Sequence, residues 1–375
     1  MPEKQIKESP MIAVFRIILG GIFIFSSAVK GVDPLGTAYR VEDYLLAYGM
    51  DWMLDLALPL AVMLITVEFL LGFAILFKLK ARLASFGILL IMIFFTVVTW
   101  FDARYNLVPD CGCFGDAIKM SNWETFSKNV VLILLAVVVF FKRKTVISGL
   151  PQWIQSVILI VFIGLFAWFV NFNYQHLPLL DFRDWKAGND MKSSGEGETK
   201  TFVTYRNIKT GEEKEYLSPN YPWNDSLWMA NWEFVDQRLD ESGLIRKHNL
   251  IIEDEEGNDL TKAIIEHNGN QFLLISYDLD FANGEGMLSA AKLFQKLDEQ
   301  GIAFDMLSAS DTQIIDKFRE VYQMEYPVYF ADDIELKAMI RSNPGLLWLK
   351  DGVIIQKWHF NDFPDWEEVK DLMGE

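Results

Sequence analysis

The sequence predicts a membrane all-α four-helix bundle with a fifth transmembrane helix, followed by a soluble α/β domain. Three observations carry this. Five apolar runs of roughly bilayer length precede residue 172, acidic residues concentrate beyond it, and strand and helix patterns alternate from residue 250 onward.

The chain has 375 residues, a formal charge of −17 and 51% hydrophobic residues. Such a length suggests two or three domains. Up to Gln175 there are 14 Lys/Arg against 12 Asp/Glu; beyond it there are 20 against 39. The first half is nearly neutral and suited to a lipid bilayer. The second is an acidic body, which repels nucleic acid and excludes it as an expected partner.

Taken in order, residues 1–10 form a polar, cytoplasmic N-terminus with Lys4 and Lys7. No small-residue cleavage site follows the first apolar run, so that run reads as an uncleaved anchor. The spans are expected at Met11–Val29, Trp52–Phe77, Leu83–Phe101 and Phe126–Phe141, within a membrane domain over 11–145. A fifth, Trp153–Asn171, lies within 152–172. Lys78, Lys80 and Arg82 follow span two, and Lys142, Arg143 and Lys144 follow span four. The loops Gly31–Asp51 and Asp102–Thr125 are net acidic. Basic loops stay cytoplasmic, which puts the Asp102–Thr125 loop and everything after span five outside.

That outer loop holds the only two cysteines, in Asp110-Cys111-Gly112-Cys113-Phe114-Gly115-Asp116. A cysteine is often just a small buried hydrophobe. Here two stand one residue apart among Asp, Gly and Pro, in the compartment where disulfides persist, which points to redox chemistry. A bridge between residues i and i+2 is tight, and strain makes a disulfide more oxidising. No further Cys or nearby His completes a soft-metal site, and His176, His248, His267 and His359 are scattered, so no metal is expected.

Three ionisable residues stand in or at the edge of the hydrocarbon: Arg16, Lys30 and Glu68. Such groups are costly there and are usually paired or functional. By snorkelling, Arg16 is expected to meet Glu68, either as an ion pair fixing helix packing or with Glu68 as a proton acceptor beside a quinone. Lys30 ends span one at the level of the cysteine loop, where an ammonium favours a thiolate.

Arg16 with Gly20, Ser26-Ser27-Ala28-Val29-Lys30-Gly31-Val32-Asp33-Pro34 and Glu68-Phe69-Leu70-Leu71-Gly72 resemble the DoxX pattern of four-helix membrane proteins. The Cys-Gly-Cys-Phe-Gly-Asp run, with Trp123 and Asn129, resembles the MauE branch over about residues 8–145. The resemblance implies a redox-associated protein of a bacterial inner membrane. MauE is linked to methylamine utilisation, where it helps a thioredoxin-like partner form disulfides. Cys111 and Cys113 would be the redox pair, with Lys30, Glu68 and Arg16 at the family's charged positions and Asp110 and Asp116 flanking the pair.

Residues 173–200, with the Gly/Ser/Glu-rich stretch Gly188–Glu198, read as a linker, and 201–245 as a small α+β region. Thr201–Tyr205 and Glu213–Leu217 bracket a hairpin turn, and Asp225 is expected to cap a helix over Ser226–Leu239. Trp223, Trp228 and Trp232 form a stripe suited to a core, a membrane interface or a partner. Over 246–375, strands Leu250–Glu253, Phe272–Tyr277, Ala303–Leu307 and Val328–Phe330 alternate with helices Thr261–Glu266, Gly286–Gln300, Thr312–Val321 and Ile334–Arg341. Strands Leu346–Leu349 and Val353–Trp358 then pair about Asp351-Gly352, and a last helix starts at Pro364.

This order, with Pro344 just before the penultimate strand, resembles the thioredoxin fold in its TlpA-like or peroxiredoxin-like form. That family carries Trp-Cys-x-x-Cys where this chain has Asp278-Leu279-Asp280-Phe281-Ala282-Asn283-Gly284-Glu285-Gly286. The domain therefore cannot itself exchange disulfides. The leading expectation is a membrane thiol–disulfide redox protein relaying electrons between envelope thiols and a membrane acceptor such as quinone. No cofactor is certain. The competing one is a non-catalytic scaffold whose C-terminal domain binds an envelope protein partner.

Overall fold

A computed structural model describes residues 8–108, 112–193, 200–218, 220–222, 225–240, 247–322 and 326–374. Its first half is helical: Pro10–Val32 (α1), Pro34–Ala47 (α2), Ala57–Leu76 (α3), Ala81–Tyr105 (α4), Asn122–Phe141 (α5) and Gln152–Gln175 (α6). Among the described residues, all of these except α2 are long and apolar enough to cross a membrane. Leu83, Phe94, Leu134, Ile160 and Trp168 point outward and exposed, as lipid-facing side chains must. Ser9 and Pro10 start α1, and Ser121 with Glu124 forms a capping box that starts α5 before Phe126.

The segment read as an outer loop after α1 is instead largely the helix α2. Asp33 caps it, accepting from the N–H of Gly36 at 2.8 Å, and Pro34 opens its first turn. The helix packs on α3, and the Tyr44 hydroxyl donates to Asp102 Oδ2 near the end of α4 at 2.7 Å. It thus lies over the bundle on the side of the cysteine loop.

Two sheets follow. In the smaller, Lys200–Asn207 (β1) lies between Glu213–Leu217 (β2) and Trp232–Asp240 (β3), both antiparallel to it. The helix expected over Ser226–Leu239 is a single turn, Ser226–Met229 (α7), before β3 takes over. Asp225 does cap that turn, accepting from Leu227 and Trp228. Eight residue pairs of ladder with β1 outweigh the local helical spacing. Trp228 stacks on Trp232 and meets Tyr205 edge-on, so these rings pack on one another; Trp223 lies outside the described residues.

The larger sheet is formed by Ile252–Glu253 (β4), Asn270–Ser276 (β5), Ala303–Ser308 (β6), Val328–Ala331 (β7), Gly345–Lys350 (β8) and Val353–His359 (β9). Its order is β4-β7-β6-β5-β8-β9, parallel at β5–β6 and β6–β7 and antiparallel elsewhere. Phe272 and Leu274 face one core while Leu273 and Ile275 face the other, which is why β5 is a continuous apolar run. Thr261–Ile265 (α8), Gly284–Glu299 (α9), Thr312–Tyr322 (α10), Asp333–Met339 (α11) and Trp366–Met373 (α12) complete the domain. The Asn343–Pro344 bond is cis.

Much of the stretch read as linker is ordered against this sheet. Trp185 and Met191 are 2% exposed within its second core, and Gly188, Asn189 and Met191 bond to the backbone of Gly352 and Ile354. Arg183 and Lys357 share Asp181 at 2.8 and 2.5 Å. Residues 194–199 lie outside the described ones.

Candidate functional site

The site begins with a close helix crossing. A Cβ at Gly72 would lie 2.7 Å from Phe23 Cβ, and one at Gly20 would lie 3.0 Å from the Gly72 carbonyl. Glycine at both positions lets α1 and α3 approach, which brings Ser26 and Lys30 against Glu68. Lys30 Nζ donates to Glu68 Oε1 and Oε2 at 2.8 and 2.9 Å. Lys30 is 5% exposed and Glu68 2%, so each charge depends on the other for solvation. The Ser26 hydroxyl lies 3.2 Å from Glu68 Oε2 and 2.9 Å from the Cys113 carbonyl. Its single proton serves one acceptor at a time. The carboxylate and the cysteine loop therefore compete for one donor.

Above this pair the loop folds tightly. Gly112 and Gly115 have φ of +60° and +52°, which favours glycine at both places. Gly112 also sits under Arg40 of α2, whose Cγ would be 3.0 Å from an added Cβ. Phe114 packs on Phe25 at 5.5 Å and lies 4.3 Å from Lys128 Nζ. Cys113 is half-buried; Asp110 and Cys111 lie outside the described residues. Between Ser26, Lys30, Glu68, Cys113 and Asn129 is a cavity of about 30 Å³. That is room for one water and not for a quinone ring, so any quinone must approach from outside this cavity.

Arg16 does not meet Glu68, contrary to expectation. Its Nε donates to Glu8 at 2.8 Å, and Nη1 donates to the carbonyls of Ile75 (2.9 Å) and Leu76. It closes the far end of α3, where the last carbonyls of a helix have no intrahelical donor. The antiparallel register set by Gly20 and Gly72 leaves Lys30, rather than Arg16, opposite Glu68. Lys30 is therefore turned into the bundle toward the carboxylate.

The C-terminal domain sits over the same face. Arg341 Nε donates to Asp33 Oδ2 at 2.9 Å, and Nη2 reaches Asp116 Oδ2 at 3.3 Å. The Tyr39 and Tyr277 hydroxyls are 3.1 Å apart, and His176 Nδ1 is 2.8 Å from Asp362. Burial pushes the Asp33 carboxyl up, but Arg341, Arg183 and the Gly36 N–H outweigh it and hold the pKa below the ordinary value. A cleft of about 960 Å³ remains between the halves, walled by Arg40 and Asp43, by Val108 and Asp116, and by Lys247 and Glu335. A second, of about 820 Å³, opens between α2 and the segment Tyr277–Gly284. In that segment Asn283 caps α9, while Asn343 Nδ2 donates to the Asp278 carbonyl at 2.5 Å.

Of the residues singled out from sequence, Lys30, Glu68, Cys113 and Asp116 gather on this face and Arg16 stands apart. Sequence reasoning missed Tyr39, Tyr277 and Arg341. Arg341 had one cue, its place three residues before Pro344; nothing local marked its partners. Among the described residues no three His, Cys, Asp or Glu side chains are grouped to hold a metal.

These features define a membrane protein: a bundle of apolar helices carrying a cysteine loop on one face, with an α/β domain docked over it. Residues 8–142 match the family model described as methylamine utilisation protein MauE. That stretch holds the bundle and the whole cysteine loop, and ends before α6. No curated protein and no solved structure matches the chain.

Proposed function

We propose that the protein is a membrane-embedded thiol–disulfide redox protein in which Cys111 and Cys113 are the reacting pair. A client dithiol attacks the Cys111–Cys113 disulfide, leaves as a disulfide, and delivers two electrons and two protons to the pair. The resulting dithiol is reoxidised by a quinone, which takes up the same electrons and protons as quinol. The observation that carries this is the Ser26 hydroxyl, which lies within donating distance of both the Cys113 carbonyl and Glu68 of the buried Lys30–Glu68 pair. A carboxylate one hydroxyl away from a thiol-bearing loop is suited to receive a proton when thiols are consumed.

In this reading the loop and the C-terminal domain face the envelope side of a bacterial inner membrane. The domain is a thioredoxin fold that has lost its cysteines, supported by its strand order and by Pro344 ahead of β8. It holds an envelope client over the pair, and the cleft bordered by Val108 and Asp116 gives a client chain access to the loop. Methylamine metabolism has support only from the family model.

The test is trapping. With Cys111→Ser or Cys113→Ser in the full-length protein, one variant should accumulate mixed disulfides with envelope proteins, and the doubly substituted chain none. If neither variant forms a thiol-dependent adduct and the double variant keeps full function in cells, the redox reading falls. The alternative is then a scaffold, which the thiol-free Asp278–Gly286 segment favours.

A further inference from the structure

The C-terminal domain contains no cysteine, yet it places one buried cation against the loop that does. Arg341 lies between α11 and β8 and is 7% exposed. Its guanidinium spans three partners. Nε is 3.1 and 2.9 Å from the two oxygens of Asp33, Nη2 is 3.3 Å from Asp116 Oδ2, and Nη1 donates to the Lys337 carbonyl that ends α11. The Tyr39 ring covers it at 5.2 Å. Asp33 joins α1 to α2, and Asp116 stands three residues past Cys113. One side chain of the second domain thus ties two separate segments of the first.

We propose that Arg341 is a positioning residue for Cys113, bridging Asp33 and Asp116 so that the loop carrying Cys113 is held against α2 and the charge of Asp116, three residues further on, is neutralised. This rests on the redox reading above. The loop needs an outside tether because Gly112 and Gly115 give it backbone freedom. It needs a cation because an uncompensated carboxylate near a thiol disfavours the thiolate, the reacting form. Arginine suits the role through its planar fork, which reaches two carboxylates at once; a lysine is a point charge. Among the described residues, other charged groups around the loop and the clamp include Arg40 against Gly112, Lys128 over Phe114, Lys119 and Asp43 in the adjoining cleft, Arg183 acting on Asp33, and the mutually paired Lys30 and Glu68. Arg341 comes from the far domain, so undocking that domain would slow the thiols without touching them.

The test uses the full-length protein in detergent or nanodiscs, with Cys111→Ser so that only Cys113 reacts. Its alkylation rate is measured at pH 7 together with Arg341→Gln, Arg341→Lys, Asp116→Asn and the Arg341→Gln/Asp116→Asn pair. Arg341→Gln is expected to slow alkylation about tenfold, the equivalent of one pKa unit. Arg341→Lys should recover part of the rate. Adding Asp116→Asn should restore most of it, because the charge left unpaired is then gone; a merely structural role for Arg341 would give no such rescue. Unchanged rates in Arg341→Gln, or no recovery with Asp116→Asn, overturn the proposal. The two readings separate cleanly. A parent protein whose thiols never exchange with client thiols defeats the redox reading, whereas cycling thiols indifferent to Arg341 defeat this one alone.

Discussion

Lys30 and Glu68 face each other across α1 and α3 with Nζ 2.8 and 2.9 Å from the two carboxylate oxygens, inside a helix bundle with almost no exposure. Removing one partner strands the other's charge in an apolar interior. Lys30→Met is expected to cost about 3–5 kcal/mol, whereas the double change Lys30→Met/Glu68→Leu should cost much less, since no charge is left unpaired. Unfolding of the parent and the two variants in one detergent would check this; equal losses in the single and double variants would contradict it.

The Gly72 crossing is the second point of leverage. A Cβ there would press on Phe23 Cβ at 2.7 Å and on the Ile24 backbone nitrogen at 3.0 Å. Backbone cannot yield as a flexible side chain does, so Gly72→Ala should push α1 from α3 and destabilise the bundle by about 1–3 kcal/mol. Gly21→Ala, with nothing within 4 Å of the added carbon, is the matched control and should be nearly silent.

Asp33 should make domain docking acid-sensitive. Its pKa is held below the ordinary carboxylate value, so its contribution is fully present above about pH 4 and lost as pH falls through its lowered folded value. Hydrogen exchange in α2 should therefore rise on acidification below about pH 4. In Asp33→Asn it should be elevated already at pH 7. Unchanged exchange in that variant would show that the clamp is not what docks the domain.

His359 works over a different window. It is 3% exposed, and burial pushes its pKa down to about 4, against the opposing pull of Asp362. The unfolded chain binds that proton near pH 6.5, so stability should fall as pH drops from about 6.5 toward 4, by up to about 3 kcal/mol. His359→Phe should flatten the slope in that interval. A parent chain whose unfolding midpoint is level there would refute the assignment.

How much of the fold is legible in the sequence depends on the range of each interaction. The apolar runs of α1, α3, α4, α5 and α6 and the strands from Phe272 to Trp358 are local patterns, and they survive almost unchanged. The stretch Ser226–Leu239 was misread because its pairing with β1 is long-range, and a Trp spacing of four mimics a helix. Helix α2 was missed because its charged, amphipathic face looked like a polar loop. At the site, residue types were legible but partners were not. Glu68 announces a need for a cation, but only the depth at which Gly20 meets Gly72 decides between Arg16 and Lys30. The Arg341–Asp33 contact joins positions 308 apart in sequence, beyond any periodicity.

The docking of Arg341 also orders events during synthesis. Asp33 and Asp116 emerge from the ribosome long before their guanidinium does, so the bundle must settle in lipid with both carboxylates still waiting. Products cut short upstream of position 341 would insert, carry both sulfurs, and still lack the latch. Any cell in which the nascent chain stalls late would then hold a population of inserted chains whose sulfur loop lacks its guanidinium and whose thiols react sluggishly.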